Sequence, residues 1–379
     1  MLPERTEAED ANLAALCVHF VDFGEPRNKV DAPGPTTSVL RMQEQREALR
    51  KLSAEITLGD TLACFVTDAF TSKPYAGNPA AVVLLPRLVA PTPASKNFAL
   101  DDNACRTLAR QMNLSETAFV TPVAIGADFP GASDFDLRWF TPDGTEVNLC
   151  GHATLATAAT LVKEAGNTSP LLTFHTLSGP LTVAYDSAAG KFEMVLPANP
   201  PVDVLVGQGA HACESVASAL AVVVAGQAVP VDQCILAYNS TSKKLLIRLP
   251  DGLESLTFLK SGLPSDLPAR LHAAHPDGSL VKGVIVTTAG NVDGSEYHFQ
   301  SRYFAPWVAI PEDPVTGSAH TVLCPYWSQF LDQVGAPLRA RQCSPRGGDL
   351  IVTWDTATQR VSVLGDAAVV MRGTIATPV

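Results

Sequence analysis

The chain has 379 residues, of which 46% are hydrophobic and 17% charged, enough to bury the cores of two domains of ordinary size. Its net charge of −11 argues against nucleic-acid binding, because phosphate-binding domains carry clustered positive charge, and no apolar run approaches the ~18 residues that span a bilayer. The eight cysteines form no CxxC pair or zinc-like cluster and the first residues do not resemble a secretion signal, so we expect a cytoplasmic protein with reduced thiols and no membrane or nucleic-acid partner.

The first sixty residues differ in composition from the rest of the chain. Residues 1–36 mix charged residues, prolines and glycines without a sustained period, which predicts a loosely packed segment. Residues 37–56 are rich in helix formers and carry apolar residues near helical spacing, which predicts one amphipathic helix. We interpret residues 1–60 as an N-terminal extension, either dispensable or used for docking.

From Thr61 to residue 197, strand-like and helix-like segments follow one another. β-Branched and aromatic residues indicate the strands, whereas an acidic start, a basic end or a closing glycine indicates the helices. The predicted order is strand 61–70, strand 80–86, helix 101–112, strands 115–120 and 135–140, helix 150–166, and strands 171–176, 180–186 and 191–197.

The second half of the chain follows a similar plan, again with strands and helices mixed. This pattern predicts the α+β class. The predicted order is helix 212–226, strands 232–239 and 244–250, helix 267–275, strands 283–290 and 296–304, helix 316–331, and strands 348–354 and 361–375.

An internal repeat links the two halves. Arg138–Pro142 reads Arg-aromatic-Phe-x-Pro and is followed by a loop and the helix start Gly151–Ala153. The same order recurs about 165 residues later, in Arg302–Pro306 and Gly317–Ala319. We therefore predict two similar domains, 61–188 and 189–379, related by a pseudo-twofold axis that brings the two helix starts face to face. The last strand could return to the first domain.

Two helix N-termini that face one cleft would form an anion site. Each offers unpaired backbone N–H groups and a partial positive charge, and Gly151 and Gly317 permit close approach because they lack Cβ atoms. A carboxylate substrate would be held there without a metal. The alternative for each position is a glycine-bearing turn before a helix.

Several residues near these helix starts can carry proton chemistry. Glu116 lies at a helix-to-strand junction, and in a closed cleft desolvation would raise its pKa towards neutrality, although such a carboxylate is usually solvated. His152 titrates in the working pH range, and Cys150 would be a thiolate base at a helix start. The structural alternatives are a capping or packing histidine, a small buried cysteine, a turn at Asp313 and a helix cap at Ser318.

Recognisable metal and cofactor motifs are missing from the sequence. It contains no HExxH, no Walker loop, no GxGxxG after a strand and no GxSxG. We therefore expect a protein without a metal or an organic cofactor.

Five separated motifs occur in an order that resembles a known family. They are DAFTSKPYAGNPAAVVLL, ARQMNLSETAFV, LRWFTPDGTEVNLCGHATLATA, LSGPLTV and SRYFAPWVAIPEDPVTGSAH. Over residues 61–375 the chain resembles the phenazine-biosynthesis isomerase (PhzF-type) family, which has the diaminopimelate epimerase-like fold. The resemblance implies two pseudo-symmetric α+β domains, each a sheet-rich half-barrel around a central helix.

The resemblance also implies an activity and a set of site residues. It implies cofactor-independent acid/base isomerisation of a small carboxylate-bearing metabolite, as in secondary metabolism, by a homodimer. The family's catalytic glutamate corresponds to Glu116, and its histidine and aspartate correspond to His152 and Asp313. The predicted substrate-binding residues are Ser115, Cys150, Gly151, Gly317 and Ser318.

The sequence departs from the related epimerases, which use two cysteines, one at each helix start. Cys150 occupies the first of these places, and Val315 is expected at the second, so a single-base proton shift is favoured. The family's late Gln-Gly segment begins here with Gln342. Two alternatives stay open, a catalytically silent binding or scaffold protein and an epimerase that relies on Cys150.

Overall fold

The structure is a computed structural model that describes residues 61–87, 99–203, 210–224, 231–250, 265–290 and 296–378. The predicted N-terminal extension, with its helix at 37–56, lies outside the described residues. None of the described helices is long and apolar enough to cross a bilayer.

Five helices form where the sequence places them, with ends shifted by a few residues. The first is capped by Asp101, whose carboxylate accepts a hydrogen bond from the Ala104 amide at 2.8 Å, and it ends at Asn113 in the left-handed conformation. The helices are α1 (Asp102–Met112), α2 (Gly151–Lys163), α3 (Ala210–Val224), α4 (Leu267–Ala274) and α5 (Gly317–Phe330).

Eighteen strands lie within the described residues, and hydrogen bonds join them into one continuous sheet. In chain order they are β1 (Thr61–Ala69), β2 (Asn78–Leu84), β3 (Glu116–Pro122), β4 (Asp134–Phe140), β5 (Glu146–Val147), β6 (Leu171–Thr176), β7 (Gly179–Asp186), β8 (Lys191–Pro197), β9 (Val202–Asp203), β10 (Ile235–Asn239), β11 (Lys244–Arg248), β12 (Gly283–Ala289), β13 (Phe299–Ala305), β14 (Ile310–Asp313), β15 (Leu338–Gln342), β16 (Gly348–Asp355), β17 (Arg360–Gly365) and β18 (Ala367–Ala376).

The sheet folds around two central helices. Helix α2 packs against β1, β2, β3, β7, β8 and β18, whereas α5 packs against β8, β11, β16 and β17. The two helices also contact each other. The predicted α+β architecture of two half-barrels, each around a helix, is therefore confirmed, and the exact domain boundaries stay a prediction.

Strand exchange joins the two half-barrels. β8 pairs antiparallel with β17 at the junction, β18 crosses over to pair with β1, and β9 crosses in the opposite direction to pair with β10. Within the halves, β4 is parallel to β6, as β13 is to β15. Each half thus repeats the same local order, and strand pairing through β8, β9 and β18 links the two.

Small side chains allow α2 to lie at the centre of its half-barrel. Its buried face is mostly alanine and threonine, so the surrounding strands approach closely. The threonine hydroxyls are not left unpaired, because Thr154, Thr157 and Thr160 each donate to the carbonyl four residues earlier, at 2.6 to 2.9 Å. The buried polar atoms of the helix are therefore compatible with an apolar core.

Candidate active site

The starts of the two central helices are in contact. A Cβ built on Gly151 would lie 3.9 Å from the Cα of Gly317, and a Cβ built on Gly317 would lie 4.0 Å from the Cα of Gly151. The sequence prediction of two facing helix starts is thus confirmed. Larger residues at these two positions would have to fit between the two helix starts, against Met194 and Phe70, so the glycines permit this close contact.

A cavity of about 150 Å³ opens beside the two helix starts, and we call it the inner cavity. It collects almost all residues that the sequence singled out. Its lining includes Glu116, Cys150, Gly151, His152, Asp313, Gly317 and Ser318, together with Tyr303 and Thr316. The remaining candidate, Ser115, lies one residue before Glu116, and its hydroxyl is 3.2 Å from Nε2 of His152.

A buried ion pair occupies the wall of the inner cavity. The Oε2 atom of Glu116, at the first residue of β3, lies 3.1 Å from Nε2 of His152, at the second residue of α2. The side chains are only 9% and 7% exposed, respectively. Solvent therefore screens their interaction little, and the charged state of each depends on the other.

The pKa values of the two groups shift in opposite directions. Burial alone would raise the pKa of Glu116, but the charge of His152 and its hydrogen bond outweigh burial and lower it. Burial alone would lower the pKa of His152, but the neighbouring Cys150 and Glu116 side chains raise it well above its ordinary value. The expected upward shift at Glu116 is therefore wrong, because that argument left out the adjacent imidazolium.

Asp313 is the second buried carboxyl group of the site and differs from the first. One oxygen accepts a hydrogen bond from Nδ2 of Asn78 at 2.8 Å, and the other accepts from the Thr316 hydroxyl at 2.5 Å. Burial nevertheless raises its pKa, and the charge of Glu116 adds to this effect. The inner cavity thus combines a carboxylate that stays ionised with a carboxyl group that holds its proton more tightly.

Cys150 is the N-cap residue of α2, and its Sγ lies 3.5 Å from Nδ1 of His152. Burial and the charge of Glu116 raise the pKa of its thiol, so it does not have the low pKa that a helix start can produce. The N-cap residue of α5 is Thr316. The counterpart of Cys150 is therefore Thr316 and not Val315, and the conclusion that a second thiol is missing there stands.

Sequence reasoning missed two residues that build the site. Asn78 also donates to the carbonyl of Val315 at 2.8 Å, so its side chain ties the first half to the loop before α5. Gln342 is fully buried in β15, accepts from the Thr316 amide and donates to the carbonyl of Asp313. Asn78 lies inside the motif GNPAAVV, which was the available signal, whereas Gln342 was noted only as the start of a departing segment.

Three donor atoms in the inner cavity could contact a metal ion. The ligand atoms of Glu116, Cys150 and His152 lie within 4.8 Å of one another. However, the imidazole presents Nδ1 to Cys150 and Nε2 to Glu116, which are opposite sides of one ring. An ion on either nitrogen would have only one of the other two ligands on its side, so the arrangement fits a hydrogen-bonded chain better than a zinc centre.

The paired half-barrels and facing helix starts define the diaminopimelate epimerase-like fold. The sequence profile of a family described as "Phenazine biosynthesis-like protein" matches residues 67–373. The mouse phenazine biosynthesis-like domain-containing protein 1 is 42% identical over 316 residues, which cover 83% of this chain and 99% of the mouse protein. A Pseudomonas aeruginosa protein named as an uncharacterized isomerase is 37% identical over 314 residues, covering 83% of this chain and 98% of that protein.

A solved structure of similar fold leads to the same family. The crystal structure of a PhzF-family phenazine biosynthesis protein from Enterococcus faecalis is 30% identical, with a TM-score of 0.63, and the match covers 83% of this chain and 99% of that chain. This chain therefore belongs to the PhzF-type family of phenazine biosynthesis-like proteins. The family predicted from the sequence motifs is confirmed, and the relatives include a protein named as an isomerase.

Proposed function

We propose that this protein is a cofactor-independent isomerase that moves a proton, and with it a double bond, within a small carboxylate-bearing metabolite. The observation that carries the proposal is the buried pair of Glu116 and His152 in a cavity that also contains Asp313 and two helix starts. A carboxylate base, a second buried carboxyl group with a raised pKa and an anion site around one cavity are what such a reaction needs.

The helix starts at Gly151 and Gly317 bind the substrate carboxylate. The first turn of each helix has backbone N–H groups without a partner inside the helix, and the two glycines let these helix starts meet beside the inner cavity. Ser115 and Ser318 add hydroxyl groups beside this place. The bound substrate is thereby held with its reacting carbons against Glu116, which supplies much of the rate through orientation.

Glu116 acts as the proton shuttle. Its carboxylate takes a proton from one carbon of the substrate, and the electron pair of the broken C–H bond delocalises towards the conjugated carbonyl oxygen. In its protonated form Asp313 donates a hydrogen bond to that developing oxyanion, and burial, which raises its pKa, favours that form. Glu116 then returns the proton to a second carbon, and His152 stabilises the carboxylate form of Glu116 before the first transfer and after the second.

The two alternatives from the sequence fit the structure less well. An epimerase that relies on Cys150 needs a thiolate, whereas burial and Glu116 raise the pKa of this thiol. A silent binding protein has no use for a desolvated ion pair, because a buried ion pair contributes little to stability when hydrophobic residues could replace it. Neither alternative uses the contact between Glu116 and His152.

The proposal is tested by solvent deuterium exchange into a panel of unsaturated carboxylates in D₂O. We expect Glu116→Gln to lower the rate of deuterium incorporation by about 10²- to 10⁴-fold without loss of folding. Glu214→Gln, at an exposed position of α3, is the matched control and should exchange at the wild-type rate. Near-normal exchange by Glu116→Gln would refute the shuttle, and loss of exchange in Cys150→Ser alone would favour the cysteine-dependent epimerase.

We further propose that the protein works in the cytoplasm as a homodimer. All seven cysteines among the described residues are free, which is compatible with a reducing compartment. Light scattering behind a sizing column measures the mass of the particle, and a single species of 40.0 kDa would contradict the dimer.

A further inference from the structure

A second and much larger cavity adjoins the inner one. It has a volume of about 750 Å³ and lies between residues 141–147 and residues 307–314, and we call it the outer cavity. Val308, Ile310 and Asp313 line both cavities. The two spaces are therefore neighbours that share these three side chains, and a ligand that occupies both would pass between them.

The volumes indicate which part of a ligand each cavity can take. Ligand-binding pockets typically measure about 300–1,000 Å³, so the inner cavity, at about 150 Å³, is small for a whole metabolite. It has room for a carboxylate and the carbons next to it. The outer cavity, at about 750 Å³, falls within the usual range and can take the remainder of the ligand.

The lining of the outer cavity indicates the chemistry of that remainder. Its accessible surface is predominantly apolar and includes Pro142, Val147 and Trp307. Its described lining residues include no lysine or arginine, and the carboxylate of Glu312 is already paired with Arg302 at 2.5 and 2.6 Å. A second anionic group would find no cation there, whereas an aromatic or alkyl group would be removed from water.

We propose that the outer cavity binds the uncharged, apolar body of the substrate, while the helix starts hold its carboxylate. The substrate class is then monocarboxylates that carry an aromatic or branched alkyl group several bonds from the carboxylate. That these compounds are substrates rests on the proposed function. That they bind does not, since binding needs only the two cavities and the helix starts.

The test measures binding by titration calorimetry with a series of probes, namely benzoate, phenylacetate, 3-phenylpropanoate and 4-phenylbutanoate. Each added methylene moves the ring from the inner towards the outer cavity. We expect the dissociation constant to fall about three- to fourfold per methylene. A flat series, or one in which benzoate binds most tightly, would overturn the assignment.

A substitution in the outer cavity provides the second arm of the test. Ala309 lines only the outer cavity, is exposed, and has a left-handed backbone with φ 60°, which asparagine and aspartate tolerate better than most residues. We expect Ala309→Asp to reduce the preference for 4-phenylbutanoate over benzoate at least tenfold. Ala309→Asn, the neutral and nearly isosteric control, should reduce it less. An unchanged preference in both variants would overturn the assignment.

The experiments distinguish a failure of the outer cavity assignment from a failure of the proposed function. If Glu116→Gln binds the probe series like the wild type and deuterium exchange is missing from every enzyme form, the isomerase proposal fails and the outer cavity assignment stands. If exchange occurs and depends on Glu116 but the probe series is flat, the isomerase proposal stands and the substrate class is wrong.

Discussion

Lys244 gives the sharpest test of how charge is distributed around the site. It begins β11 in the second half, and its Nζ lies 6.0 Å from the ring centroid of Tyr303, a residue that lines the inner cavity. Lys244 is 8% exposed and makes no hydrogen bond or ion pair with any residue that the structure describes. Burial without a counter-charge lowers its pKa from 10.5 to about 8.

This pKa shift sets the magnitude of the effect on stability. A fall from 10.5 to about 8 corresponds to a destabilisation of the folded state by about 3 kcal/mol. Below pH 8 both states carry the proton, so the destabilisation is fully present. Between pH 8 and 10.5 the folded state loses its proton first, and the destabilisation disappears as the pH rises.

We therefore expect Lys244→Met to raise the free energy of unfolding at pH 7 by up to about 3 kcal/mol, and by much less at pH 10.5. Urea denaturation of variant and wild type at both values measures the difference, and other titrating groups cancel in the comparison. Lys282→Met, at an exposed position, is the control and should change little. A gain that is the same at both pH values would show that methionine acts through packing alone and that Lys244 is not buried as a charge.

Two further predictions concern the helix starts and the second carboxyl group. In Gly317→Ala the new methyl group lies in the contact between the two helix starts, 3.5 Å from Phe70 and 4.0 Å from the Cα of Gly151, so we expect folding to be retained while the helix starts move apart and benzoate binds about tenfold more weakly. Unchanged calorimetric affinity would show that the helix starts do not hold the carboxylate. In Asn78→Asp a second carboxyl group replaces the amide 2.8 Å from Asp313, and we expect a loss of about 2 kcal/mol at pH 7 that shrinks as the pH falls and the carboxylates take up protons. Urea denaturation at pH 7 and 4.5 measures this, and a loss independent of pH would contradict it.

The sequence predicted the order of the main elements because periodicity and end signals are local. Helix α1 is an example, since Asp101 caps its start and Arg110 lies in its last turn. The repeat of Arg138–Phe140 and Arg302–Phe304 also indicated that the two helix starts meet, although no local signal carries that contact. The repeat was informative because two similar segments related by a pseudo-twofold axis occupy equivalent positions in the two halves.

Other features depend on long-range contacts that the sequence does not reveal. β15 was not predicted because Arg339 and Arg341 interrupt its apolar pattern, and only pairing with β13 and β16 shows that these charges face outward. The direction of the Glu116 pKa shift was wrong for a similar reason. It depends on His152, which lies 3.1 Å away in space but on another element.

The repeat also shows why the buried ion pair occurs in only one half of the described structure. β3 pairs Thr117 with Phe140, and β12 pairs Val284 with Phe304, so the two phenylalanines align the halves residue by residue. In this alignment the counterpart of Glu116 is Gly283.

A second base cannot be accommodated at that counterpart. A Cβ on Gly283 would lie 2.1 Å from the hydroxyl oxygen of Tyr303, so the tyrosine fills the space that a glutamate would need. The counterpart of His152 is Ser318, which does not titrate in the working range. The second half thus supplies a helix start and Asp313, while the first half supplies the ion pair. In the proposed isomerisation Glu116 is the one base, so the proton would return to the face of the substrate from which it was taken, which fits a double-bond shift and not an inversion of configuration.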